Sequence, residues 1–254
     1  MNFGDFKFKS NYLDEKSILD ISMLVKWNKV KKKYNFNQLP KTAIISISKF
    51  SLEFRMRLFS KKVKGILGNN YFINNNLIFC SGFGYGAPAI IGFMEELRIL
   101  GVENFVFVGF AGSLVKNINE NDTFLVNNSF STVGCTALYS SSYDFKPIES
   151  DWRDNFKALL NLPETICWST DAPYRETKSL IKYYIDKRAT HVDMECAAIY
   201  AFAEFYKLNS SCILITADSL AHNQWSPPKN LGLLNSTLKK VVTSTIEILN
   251  KSYD

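Results

Sequence analysis

Histidine is nearly absent: only His191 and His222 occur in 254 residues. Neither has a second ligand at metal-binding spacing, so no zinc site is expected. The five cysteines (Cys80, Cys135, Cys167, Cys196 and Cys212) form neither CxxC pairs nor a regular framework. Each lies in or beside an apolar segment and reads as a small core residue. No apolar run reaches the ~18–20 residues that a bilayer span needs, so no membrane segment is expected. The opening MNFGDFKFKSNYLDEKS lacks the charged-then-apolar order of a secretion signal, which makes a cytoplasmic location the default expectation. Repeats and low-complexity linkers are also missing, so one domain is expected after an N-terminal extension.

What is present is an ordinary globular composition, 46% apolar and 21% charged, with a net charge of +6. The lysines cluster at Lys26, Lys29 and Lys31–Lys33, then at Lys61, Lys62 and Lys64. The first cluster falls on the amphipathic stretch SILDISMLVKWNKVKKK, whose polar face is expected to be solvated rather than bound to nucleic acid. The tail LLNSTLKKVVTSTIEILNKS reads as a closing amphipathic helix.

Between these ends, short continuous apolar runs alternate with helical patterns. The runs are TAIISIS (42–48), LIFCS (77–81), FVFVG (105–109), TFLVN (123–127), TICWST (165–170) and CILIT (212–216). Continuous rather than alternating runs suit strands covered on both faces. Helical patterns lie between them, among them PAIIGFMEELRILG and MECAAIYAFAEFYKL. The order predicts an α/β fold, a central mostly parallel mixed sheet flanked by helices. Residues 1–41 read as a helical extension and 42–254 as the domain. Ligands of such sheets bind beyond the carboxyl ends of the strands, where GFGYGAPA, FAGSL and ADSL follow three of the runs.

Several motifs stand there. Gly82, Gly84 and Gly86 precede Pro88, which suits either a tight strand–helix turn or a close backbone approach to a ligand. GFAGSL reads equally as close packing or as a pocket floor. TDAPYRET crowds Asp171, Tyr174, Arg175 and Glu176 after a strand. Asp218 follows CILIT, as a turn residue or a functional acid. In the run MECAAIYAFAEF, helical spacing puts Glu195 on one face with Ala198, Ile199 and Phe202. A carboxylate there loses several kcal/mol of hydration unless something pairs with it.

Taken together, strand–GxGxxxP–helix, GxAGSL, TDAPYRE, VDMECAA and TADS resemble the nucleoside phosphorylase and nucleosidase superfamily, from about residue 42 to about 250. The resemblance implies that Met194 and Glu195 form a ribose site, with Glu195 accepting the sugar hydroxyls. It implies that Asp218 faces the base and donates a proton to it, with Val192, Tyr174 and Arg175 beside the base. This favours a purine, needs no metal or organic cofactor, and implies a homo-oligomer.

At the acceptor end the sequence leaves the family. Phe107 stands where phosphorylases carry a phosphate-binding arginine, and Phe110 where a small residue is common. The first-strand phosphate loop is replaced by IISISKFSLEF. Loss of both arginines removes the planar fork that grips phosphate. Lys49, Arg55, Arg57 and Arg175 are the cations available to replace them. Glu53, slightly late in the chain, is the nearest carboxylate to the place where nucleosidases activate water. Gly84, Lys49, Glu53, Phe107 and Phe110 are therefore assigned to the acceptor side, and hydrolysis of an N-glycosidic bond is expected ahead of phosphorolysis. A nucleoside-binding protein without turnover is the reading from another class.

Overall fold

The computed structural model describes residues 13–31, 33–48, 52–222 and 224–251. Four strands form its parallel heart: β1 (Thr42–Ser46), β4 (Leu77–Ser81), β5 (Asn104–Ser113) and β10 (Asn209–Ser219), in the spatial order β4–β1–β5–β10. β2 (Lys61–Val63) and β3 (Asn69–Phe72) extend the β4 edge in antiparallel fashion.

Beyond β10 the sheet curls round through β6 (Thr123–Thr132), β8 (Glu164–Thr170) and β9 (His191–Asp193), and β9 pairs back with β5. The long strand β5 makes this closure possible. On one side its first half pairs with β1, and its last residues, Gly112 and Ser113, pair with β9. A two-residue strand, β7 (Asp144–Phe145), pairs with the outer end of β6. The sheet is mixed, with parallel pairings at its centre and also between β6, β8 and β9, and the α/β architecture agrees with the expectation from sequence.

Helices cover both faces of the open part. On one side α3 (Ala87–Ile99) and α6 (Cys196–Tyr206) pack on Ala43, Ile45, Ile78, Phe105 and Phe107. On the other, α4 (Asp151–Leu160) and α7 (Leu231–Lys251) pack on Ile44, Phe79, Val106, Val108 and Ile213. Neighbouring residues of one strand thus enter opposite layers, which is why the runs are continuously apolar. Each fully buried large aliphatic contributes about 1.5–3 kcal/mol.

The other helices are α1 (Ile21–Val30), α2 (Phe54–Phe59) and α5 (Lys178–Asp186). α1 begins where the Asp20 carboxylate accepts the Ser22 N–H at 2.8 Å, and only Val25 and Asn28 along it are buried. The predicted closing helix is α7. Among the described residues no helix is long and apolar enough to cross a membrane.

Candidate active site

The strand ends open into one cleft of about 720 Å3. It is lined by Ile47 after β1, Tyr85 after β4, Phe110–Gly112 of β5, Val192 and Asp193 of β9, and Ala217 and Asp218 of β10. Pro173, Tyr174 and Glu176, which follow β8, close one side, and Gln224, Trp225 and Pro228 close another. Met194 and Glu195 form part of the wall.

Register explains why these residues meet. Gly112 is the partner of Val192 on one side and of Asp218 on the other. A β-bulge between Thr216 and Asp218 re-aims the end of β10. A Cβ on Gly112 would lie 2.8 Å from Asp218 Oδ1 and 3.0 Å from Leu220 Cδ1, so only glycine admits the carboxylate at this place.

Glu195 is 6% exposed, but it does not lie within a helix as the apolar spacing suggests. It is the residue at which α6 starts, with φ −132° and ψ −38°. The helix is anchored two residues earlier, at Asp193. Asp193 Oδ2 accepts the N–H groups of Glu195 (3.1 Å) and Cys196 (2.7 Å). Asp193 Oδ1 accepts from the Ser169 hydroxyl at 2.5 Å, and Ser169 Oγ in turn accepts the Ala197 N–H at 2.9 Å. Three otherwise orphaned helix N–H groups are satisfied in this way. Helical periodicity cannot reveal a cap of this kind, so sequence reading extended the helix through Glu195.

The Glu195 carboxylate turns instead to the glycine loop after β4. Its Oε1 accepts the Gly86 N–H at 2.7 Å. Gly86 starts α3 with φ +82°, a conformation that glycine adopts without strain, and a Cβ there would approach Met194 Cε to 3.7 Å. The N-termini of α3 and α6 therefore both adjoin one carboxylate. Burial still dominates: it raises the Glu195 carboxyl above its ordinary range, the charge of Asp193 adds to this, and the N–H bonds only partly offset it.

Across the cleft, Asp218 Oδ2 accepts the Trp225 indole N–H at 2.5 Å. Partial burial raises the Asp218 carboxyl, with the Trp225 N–H opposing the shift. Glu176 shares this end. Burial, and then the charge of Asp218, push its carboxyl up to about 7. The segment carrying Trp225 is held at two points. Ser219 and Ser226 exchange backbone hydrogen bonds at 3.1 and 2.8 Å, and Glu120 Oε1 accepts the Lys229 N–H at 3.1 Å.

The structure brings together Met194, Glu195, Val192, Tyr174, Asp218 and Phe110 from the sequence-derived set. Others fall elsewhere. Arg175 is exposed on the short 3-10 turn Pro173–Arg175 and does not line the cleft, whereas the exposed Tyr174 stands at its rim and the half-buried Glu176 on its wall. Phe107 is 1% exposed and belongs to the apolar layer under α3 and α6. Glu53 immediately precedes α2 and is not a cleft residue. Gly84, at φ +126°, serves the turn into α3 rather than the wall. Lys49 lies outside the described residues. Arg55 and Arg57 are exposed on α2.

Sequence reasoning missed Asp193, Gly112 and Trp225, and noted Glu176 in TDAPYRET without giving it a role. Asp193 and Gly112 stood inside quoted motifs, but their roles depend on caps and register. Trp225 had no signal, since it lies in an irregular segment.

His191 is a core residue. Its Nδ1 lies 2.7 Å from Thr165 Oγ1 and its Nε2 lies 3.1 Å from Thr216 Oγ1, while burial lowers it to about 4 and keeps it neutral. Among the described residues no group of three or more His, Cys, Asp or Glu side chains is placed to hold a metal ion.

Fold and cleft define an α/β protein with a cleft at its strand ends, set between a buried carboxylate and a second acidic wall. The chain belongs to the phosphorylase superfamily, which it matches over residues 61–247. Curated relatives include a DeoD-type purine nucleoside phosphorylase of Brevibacillus brevis, 28% identical over 62% of this chain and 70% of that protein. Another, from Clostridium novyi, is 25% identical over 73% of this chain and 82% of its own. Among solved structures, a uridine phosphorylase of Vibrio fischeri superposes with a TM-score of 0.70 at 19% identity, covering 85% of this chain and 93% of that one. A futalosine hydrolase mutant of Helicobacter pylori gives 0.66 at 16% identity, covering 84% and 100%. These two likenesses establish the fold.

Proposed function

We propose that this protein cleaves the N-glycosidic bond of a purine nucleoside and that water is the acceptor. The observation that carries the reading is Glu195: a buried carboxylate in the wall of a cleft that Asp218 also lines, with Oε1 tied to the Gly86 N–H. Breaking a C1′–N bond gives an oxocarbenium-like sugar and an anionic base. The Glu195 carboxylate accepts hydrogen bonds from ribose hydroxyls, fixes the ring and favours the developing positive charge. Met194 offers a polarizable apolar wall to the sugar. Asp218, raised by burial, carries a proton to the purine as the base leaves. Tyr174 and Val192 flank the base.

Hydrolysis is favoured over phosphorolysis because Lys178 is the only cation among the described residues that line the cleft. Phosphorolysis is the second reading, supported by the phosphorylase relatives. Chromatography for free base, run on a nucleoside panel with and without phosphate, separates the two. Base release independent of phosphate supports the hydrolase, and strict dependence on phosphate overturns it. Tight nucleoside binding without turnover in either condition overturns both.

A further inference from the structure

The lysine clusters, read from sequence as a plain solvated face, lie on an unusually one-signed part of the chain. Between Asp20 and Glu95 stand twelve lysines and arginines and a single carboxylate, Glu53. The fold brings the two clusters together. The Asn35 side chain donates to the Lys62 carbonyl and accepts the Lys64 N–H, both at 2.9 Å. A Cβ on Gly65 would lie 2.7 Å from the Lys33 carbonyl oxygen. Lys33 Nζ stands 4.2 Å from the centroid of the Trp27 ring.

α1 also turns apolar side chains outward. Met23, Trp27 and Val30, at helical spacing, are 65%, 51% and 79% exposed, while Val25 faces the core. Leu19, just before the helix, continues that line and is also exposed. Lys26, Lys29 and Lys31 are exposed around the stripe. An outward apolar stripe flanked by lysines on a short helix has the chemistry of a helix lying in a lipid interface. A nucleic-acid surface would use the lysines but not Met23 and Val30.

We propose that α1 and the adjoining β2 edge form a docking face for an anionic membrane surface. Met23, Trp27 and Val30 enter the headgroup boundary, and Lys33, Lys62 and Lys64 meet lipid phosphates. The attraction is electrostatic and apolar together, so it requires both charged lipid and the stripe.

The test is co-sedimentation of the full chain with phosphatidylcholine vesicles, with and without about one third phosphatidylserine. Binding to the anionic vesicles is expected to exceed binding to neutral ones by roughly tenfold. It should weaken as salt rises from about 0.1 M to about 0.5 M. The double variant Met23→Gln/Trp27→Gln and the triple variant Lys33→Glu/Lys62→Glu/Lys64→Glu should each abolish it, with circular dichroism unchanged. Equal binding to both vesicle types overturns the proposal, as does binding that survives both variants. Retention of duplex DNA that only the lysine variant loses, without vesicle binding, reassigns the face to nucleic acid. Self-association that the apolar variant removes, again without vesicle binding, reassigns it to a second copy of this chain.

Discussion

The Gly86 N–H donates to Glu195 Oε1 at 2.7 Å, tying the start of α3 to the start of α6 through one side chain. Glu195→Gln tests what the other oxygen does. The amide oxygen can keep the Gly86 bond, so unfolding should be little changed. The acceptor for ribose hydroxyls becomes a donor, and kcat/KM should fall roughly 10²–10³-fold. Base release and a thermal melt, measured on the same preparation, check both halves. A fully active variant removes the ribose-site assignment.

Trp225 holds Asp218 through an exposed indole, so Trp225→Phe should barely alter stability. Its effect belongs in the pH profile. The indole N–H favours the ionised carboxylate and opposes the upward shift from burial. Without it the Asp218 carboxyl rises further, and the basic limb of kcat/KM moves to higher pH. Loss of positioning should also lower kcat several-fold, on the order of 10-fold at most. A profile that falls without moving would make Trp225 a packing residue only.

Glu176 makes stability depend on pH. Its carboxyl moves from 4.5 to about 7 on folding, so the native state holds the extra proton between those values. The stabilising contribution is therefore full below about 4.5 and is lost as pH rises through about 7. Melting temperature should decline across that window, and Glu176→Gln should flatten part of the decline. The partial exposure of Glu176 keeps the effect small. An unchanged slope in the variant would show that Glu176 is solvated.

Gly112→Ala probes the register between β5, β9 and β10. The added methyl would sit 2.8 Å from Asp218 Oδ1 and 3.3 Å from Val192 Cγ1. Its Asp218 neighbour lies at the open cleft and can swing away, so activity should fall more than stability. Asp193→Ala should do the reverse in proportion. It removes the acceptor of the Glu195 and Cys196 N–H groups at the start of α6 and of the Ser169 hydroxyl, at a cost of about 3 kcal/mol. Urea titrations beside kcat/KM values separate the two patterns.

Much of this architecture was readable because buried strands advertise themselves. LIFCS coincides with β4, and TICWST with all but one residue of β8. The strands KKV, NNYF and HVD were not readable, since each is three or four residues long and mixes polar with apolar side chains, which leaves no continuous apolar run. In the site, Met194, Glu195 and Asp218 were legible because their types and order carry the motif. The acid pair Glu176–Asp218 and the Asp193 cap were not. The acid pair depends on segments distant in sequence meeting through the curled sheet, whereas the Asp193 cap lies two and three residues from the N–H groups it accepts and was masked by the apolar run that follows it.

Phe107 marks the limit of reading a site from a motif resemblance alone. The resemblance sets it at the arginine position of phosphorylases, yet its ring is buried and folds back over its own strand, with Cε1 2.5 Å from where a Cβ on Gly109 would sit. Restoring the family residue as Phe107→Arg would place an unpaired guanidinium in the layer beneath α3 and α6, at several kcal/mol. The variant should unfold at much lower urea and gain no phosphate dependence. Phe110→Arg differs, because Phe110 lines the cleft and its replacement can reach water. That variant should remain folded. A stable Phe107→Arg protein with phosphate-stimulated base release would mean that the acceptor pocket reaches into what is here a closed apolar layer.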